Sequence, residues 1–203
     1  MNEHPDDAAD RAAIGRIETA LVDAAARLAT AGARTEALAE YVPAGRTLLV
    51  PRAERMRRLG SVWRLGVLLL AADVEGPTGS AGSDGSGGRT GNGAPAVPAL
   101  YATGAITRAH EPGRTTYIAA SAERRRQLRV AAHRGRFDPA ETVNFDATPI
   151  AVDESLVGAS GVLIVRDGEA YVRWSPTTPD AATPFAAYLA ERVDLLVSPP
   201  EGA

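Results

Sequence analysis

The sequence predicts an α+β fold: a mainly antiparallel β-sheet with packed helices and a helical N-terminal arm. Three observations carry that reading. Apolar residues recur at three- and four-residue spacing from Asp10 to about Gly32, the period of an amphipathic helix. The segment "GVLIVRDGEAYVRWSP" (Gly161 to Pro176) sets two β-rich runs around Asp167-Gly168, the pair that a type I′ two-residue hairpin turn requires. The other strand-like segments mostly follow one another directly, which favours hairpins over βαβ crossovers.

In chain order, Ile14, Ile17, Leu21, Ala25, Leu28 and Ala31 line one face of the first helix, and Asp6, Asp7 and Asp10 stand near its positive end. A shorter helix is expected over Thr35 to Val42, with Thr35 as N-cap and Pro43-Ala44-Gly45 as the stop. Residues 1–45 then form a helical arm, and residues 46–203 a single α+β domain. "RTLLVP" (Arg46 to Pro51) reads as a short strand, and "RAERMRRLG" after it as a charged link, helical or irregular. "SVWRLGVLLLAA" (Ser61 to Ala72) and "ALYATGAITRA" (Ala99 to Ala109) are strands by their bulky apolar content. Between them, at about 73–98, lies a Gly/Ser/Pro-rich stretch with too few side chains to offset its ordering entropy, so it reads as a flexible hairpin loop.

"HEPGR" (His110 to Arg114) is a turn and "TTYIAA" a short extended piece. "SAERRRQLRVAAHRGRFD" (Ser121 to Asp138) is a helix capped by Ser121, with Glu123 in its first turn and Gly135 at its end. "ETVNFDATPI" (Glu141 to Ile150) alternates as one strand: Val143, Phe145 and Ala147 on one face, Asn144, Asp146 and Thr148 on the other. Pro149 ends it or marks a sheet edge. Pro184 opens a helix, "PFAAYLAERV", and "DLLVSPP" reads as a last strand. Trp63 and Trp174 read as core or sheet-face residues.

Composition removes whole classes of function. A net charge of −3 argues against a general nucleic-acid binder, which needs a cationic surface for phosphates. The absence of cysteine removes disulfide frameworks, thiolate zinc sites and cysteine nucleophiles. All 22 basic residues are arginine, and without lysine there is no Walker-A phosphate loop, no Ser-x-x-Lys acylation and no Schiff base. The acidic start "MNEHPDDAAD" is unlike a signal peptide, and the longest apolar run, "LGVLLLAA", is too short to span a bilayer. The expectation is a soluble, cytoplasmic protein with no membrane partner. His4, His110 and His133 have no ligand spacing, so neither a metal nor another cofactor is expected. Ser155 and Ser160, in "DESLVGASG", lack a nucleophile elbow and read as cap or turn residues.

Two constellations remain. Arg125, Arg129, His133 and Arg136 recur at spacings of four, four and three, and so share one helical stripe. That stripe is either a solvated face paired with the chain's own acids, or a site for a small anion or an acidic protein partner. Asn144, Asp146 and Thr148, with His133 or His110 brought near by folding, are candidates for acid–base chemistry. One face of a strand in water gives the same pattern.

The segments "MRRLGSVWRLGVLLL", "LYATGAITRA", "ETVNFDATPI", "VRWSP" and "FAAYLAERVDLLVSPPEGA" together resemble a group of small, arginine-rich bacterial proteins to which the name glutaminase is attached. The resemblance covers about Met56 to Ala203 and implies amide hydrolysis, but its known nucleophile arrangements need the cysteine or lysine this chain lacks. The reading from the residues is therefore a non-catalytic binding or interaction module with an arginine-rich helical surface. The alternative is a glutaminase-like amide hydrolase. The N-terminal helices are a candidate homodimer contact.

Overall fold

The computed structural model describes residues 5–47, 50–73, 96–110, 120–174 and 181–200. In chain order the elements are α1 (Pro5–Thr30), β1 (Glu36–Val42), β2 (Gly45–Thr47), β3 (Val50–Arg52), β4 (Arg55–Leu65), β5 (Leu68–Ala71), β6 (Leu100–Ala102) and β7 (Ala105–Arg108). Then follow α2 (Ala120–Arg134), β8 (Thr142–Phe145), β9 (Thr148–Ile150), β10 (Leu163–Arg166), β11 (Glu169–Arg173), β12 (Ala182–Pro184) and α3 (Phe185–Val197). The fold is α+β with a mixed, mainly antiparallel sheet and an N-terminal helix. Among the described residues no helix is long and apolar enough to cross a membrane.

The chain forms two compact units, each with its own apolar core. Unit 1 comprises Met1–Arg34, Trp63–Ala102 and Pro149–Ala203; unit 2 comprises Thr35–Val62 and Thr103–Thr148. In unit 1, α1 buries Ile14, Ile17, Leu21 and Leu28 of the face its periodicity marks, together with Ala24, against α3 and the β10–β11 hairpin; Ala25 is half-buried and Ala31, past the helix end, is exposed. Its end is closed by two backbone bonds, Gly32 N–H to the Ala29 carbonyl and Ala33 N–H to that of Leu28, both 3.0 Å. Gly32 takes the left-handed conformation, φ 61°, that this helix ending needs.

The predicted Asp167-Gly168 hairpin is present as β10 and β11, with both turn residues at positive φ. Its turn is clamped by α1: Asp10 Oδ1 accepts from Gly168 N–H at 2.9 Å, and Arg16 donates to the Gly168 carbonyl at 2.6 Å. The stretch read as one strand from Ser61 to Ala72 is instead two, the end of β4 and β5, reversed at Gly66 with φ 67°. Tyr188 on α3 spans that reversal, its hydroxyl donating to the Leu65 carbonyl at 2.8 Å and accepting from Val67 N–H at 2.9 Å. Tyr188→Phe leaves both backbone groups without this partner and is expected to lower stability by about 2 kcal/mol in thermal unfolding.

β5 and β6 pair antiparallel, Leu68 with Ala102 and Leu70 with Leu100, as expected of the strands flanking the Gly/Ser stretch. That stretch, residues 74–95, lies outside the described residues, as does the predicted turn and extended piece at 111–119. Because its flanks pair directly, replacing residues 74–97 by an Asn-Gly turn is expected to keep cooperative unfolding and to change stability by no more than about 1 kcal/mol.

In unit 2 the strand order is β7-β8-β1-β4. Residues 36–42, expected to be helical, form β1, which pairs antiparallel with β4 on one side and parallel with β8 on the other. Ala37, Leu38 and Ala39 are buried in succession, so both faces of β1 are covered and tertiary pairing overrides local helix propensity. The charged link "RAERMRRLG" is largely the first half of β4, and the predicted strand Ala99 to Ala109 is broken into β6 and β7. The predicted strand 141–150 is likewise two, β8 and β9, interrupted at Asp146 with φ 54°. α2 lays Ala131, Ala132 and the following Phe137 on Ala37, Ala39, Met56, Val143 and Phe145, where small residues on helix and strand permit close approach.

The segment "DLLV", expected to be a strand, continues α3. Trp63 is buried, while Trp174 is 58% exposed and is no core residue.

Candidate anion and partner surface

α2 runs from Ala120 to Arg134, starting one residue ahead of the expected cap Ser121. Its inner face is fixed by Val130, Ala131 and Ala132, all buried. That anchoring sends Arg125, Arg129 and His133 outward, and all three are exposed, as is Arg136 beyond the helix end. Three members of the predicted stripe, Arg125, Arg129 and His133, are therefore exposed on α2, whereas Arg136 lies past the helix end, where helical spacing no longer places it.

The other arginines of this segment are held by their own unit. Arg124 lies over the Tyr41 ring, 5.2 Å from its centroid. Arg126 pairs with Glu123 at 3.3 Å, and Arg134 with Glu54 at 2.7 Å. Next to them Arg58 donates from Nη2 to both carboxylate oxygens of Glu141, 2.7 Å each, and covers the Phe137 ring at 4.5 Å. Arg57 takes Glu40. These pairs occupy Glu123, Glu54, Glu141 and Glu40. Among the described residues, Arg125, Arg129, His133 and Arg136 make no ion pair. Cations one turn apart repel by a few tenths of a kcal/mol per pair, partly offset near the C-terminus by the helix dipole.

The end of α2 has an unusual assignment of residues. Arg136 N–H bonds to the His133 carbonyl at 3.0 Å and Phe137 N–H to that of Ala132 at 3.5 Å, the same pair of bonds that closes α1. The left-handed position is Arg136, φ 62°, and not the adjacent glycine. Gly135 is needed for a different reason: a Cβ there would overlap the Met56 carbonyl oxygen and sit 2.8 Å from the Phe137 ring.

The candidate acid–base residues are not presented alike. Asn144 is 1% exposed, with its amide nitrogen donating to Glu36 Oε2 at 2.8 Å and to the Ala37 carbonyl at 3.2 Å. Its strand is buried on both faces, which corrects the expectation of a solvated polar face at this position. Asp146 stands exposed at the positive-φ break after β8, Thr148 is exposed on β9, and His133 is exposed on α2. A cleft of about 300 Å³ in unit 1 is lined by Asp7, Asp10, Arg11, Ile14, Glu154 and Val157, and none of those four candidates lines it. Among the described residues no three His, Asp or Glu side chains are grouped to hold a metal. Ser155 is a turn residue and the cap is Asp153, whose Oδ1 accepts from the Ser155 hydroxyl and then from its amide, bonds that hold the Asp153 carboxyl below its ordinary range.

Sequence reasoning missed the Glu36–Asn144 contact and the Asp10 and Arg16 clamp on Gly168, because their partners lie more than a hundred residues apart. The buried Asn144 carried a faint signal: an amide flanked by Val143 and Phe145 in a strand with neighbours on both sides must find internal partners.

Compared with known proteins, the chain matches no protein-family model, no curated protein and no solved structure.

Proposed function

We propose that the protein is a non-catalytic binding module whose arginine-lined surface, Arg125, Arg129 and His133 on α2 with Arg136 just past its end, takes an acidic protein partner or a small anion. The observation that carries this reading is the division of cations along one segment. Arg124, Arg126 and Arg134 are engaged by Tyr41, Glu123 and Glu54, while the outward file is exposed and without an ion pair among the described residues. Exposed guanidinium groups that share a face attract an anion that relieves their repulsion and matches their forked geometry.

Phosphate or sulfate at matched ionic strength is expected to raise the melting temperature of the wild type above that of Arg125→Gln/Arg129→Gln by on the order of 3 °C, since a ligand of the folded state stabilises by mass action. Sulfate also stabilises proteins by exclusion from their surface, so the difference between wild type and variant is the quantity measured. Equal gains in the two proteins would remove the site.

A further inference from the structure

We infer that the occupant of this surface is an acidic α-helix of a partner protein, with carboxylates one turn apart, rather than a single small anion; the inference rests on the reading of α2 as a binding face. From Arg125 to His133 the file extends about 12 Å along the helix axis at 1.5 Å per residue. A sulfate or phosphate ion, contacted at roughly 3 Å, reaches one turn of such a file at a time. The file is also narrow. Its neighbours Arg124, Arg126 and Arg134 are turned to Tyr41, Glu123 and Glu54, and the opposite side of α2 is packed on the sheet. What complements two guanidinium groups and an imidazole in single file at i, i+4 and i+8 is a single file of carboxylates at the same spacing on a second helix, where each meets a hydrogen-bond donor.

A nucleic-acid backbone also presents a row of negative charges, but binding a single strand uses open aromatic faces on which bases stack. The described rings of unit 2 are not open: Tyr41 lies under Arg124, and Phe137 and Phe145 are buried.

Arg136 supplies a second, independent observation. At the matching left-handed position α1 uses Gly32, the residue that adopts φ near +60° without strain. α2 places an arginine there, φ 62°, at the end of the exposed file, although nothing in the packing requires a side chain at an exposed site. Ala140 shares that conformation at φ 66°, so the backbone alone does not single Arg136 out; what Arg136 adds is an exposed guanidinium just past the end of the file.

The test uses the full chain and three labelled probes in fluorescence anisotropy at low salt. These are an alanine-based helical peptide with three glutamates at i, i+4 and i+8, a peptide of the same composition with its glutamates spread around the helix, and a single-stranded oligonucleotide of equal charge. The patterned peptide is expected to bind about tenfold more tightly than the spread one, and Arg125→Gln/Arg129→Gln to abolish that preference. Arg34→Gln, an exposed arginine of unit 1 and so a control for net charge alone, is expected to keep it. Arg136→Gly is expected to weaken the patterned peptide roughly threefold while leaving the melting temperature unchanged or higher, a combination that a purely structural residue does not give. Equal binding of the two peptides, with both lost in the double variant, would overturn the acidic helix and leave the binding module standing. Tighter binding of the oligonucleotide would overturn the acidic helix in favour of a phosphate backbone. Binding of all probes unchanged in the double variant would overturn the module as well.

Discussion

Gly104→Ala is expected to destabilise the protein by about 3 kcal/mol or more, a fall of roughly 10 °C in melting temperature. Gly104 lies between β6 and β7, and a Cβ on it would overlap the carbonyl group of Asp146 and the carbonyl oxygen of Phe145. Those are backbone atoms at the end of β8, so no rotamer change can make room. The strand break at Gly104 and the one at Asp146 sit against each other and must shift together. Gly15→Ala is the contrasting case. Nothing lies within 4 Å of the position its Cβ would take, the site is in the middle of α1, and the change is expected to stabilise by about 0.5–1 kcal/mol. Similar effects of the two substitutions would show that the close approach at Gly104 is absent in solution.

Asn144→Asp is expected to cost about 3 kcal/mol at neutral pH and markedly less in mild acid. The new carboxyl would stand where the amide now donates to Glu36 at 2.8 Å, at a site only 1% exposed. Two carboxylates in contact cannot both remain ionised, so the folded variant must hold a proton that the unfolded chain releases above about pH 4. The affected carboxyl thus has a raised value in the folded state. Stability is fully present below the unfolded value near pH 4 and is lost as pH rises through the folded one. The measurement is the stability difference from wild type at pH 4.5 and pH 7.5, with Asn144→Ala as the control that lacks the second carboxyl. A difference from wild type that is the same at both pH values would mean that Glu36 and Asn144 are not in contact.

Elements whose signal is local were legible in the sequence. The Asp167-Gly168 hairpin followed from turn chemistry alone, and α1 and α2 from apolar periodicity, both helices ending within two residues of the expected stops. Elements decided by distant partners were not. "TEALAEYV" has the composition of a helix, and only β4 and β8 on its two sides make it a strand. The arginines of "RAERMRRLG" suggested a solvated link, whereas Arg57 and Arg58 are surface residues of β4 paired with Glu40 and Glu141. "DLLV" is strand-like on its own but continues the apolar face of α3 begun by Phe185, Tyr188 and Leu189. At the candidate surface, spacing alone placed Arg125, Arg129 and His133 on one face. That Arg126 and Arg134 would be neutralised and these would not depended on Glu123 and, eighty residues away, Glu54.

The threading of the chain through its two units also sets the order of events during synthesis. α1 leaves the ribosome long before the helix it packs on, α3, which spans Phe185–Val197, and Arg27 of α1 meets Asp194 there at 2.5 Å. At 5–20 residues per second, the apolar face of α1 waits on the order of ten seconds for its partner. Unit 2, by contrast, is complete once β8 and Thr148 have emerged. Unit 2 can therefore close while the apolar face of α1 is still uncovered, and it is during this interval that chaperones have a hydrophobic face to hold.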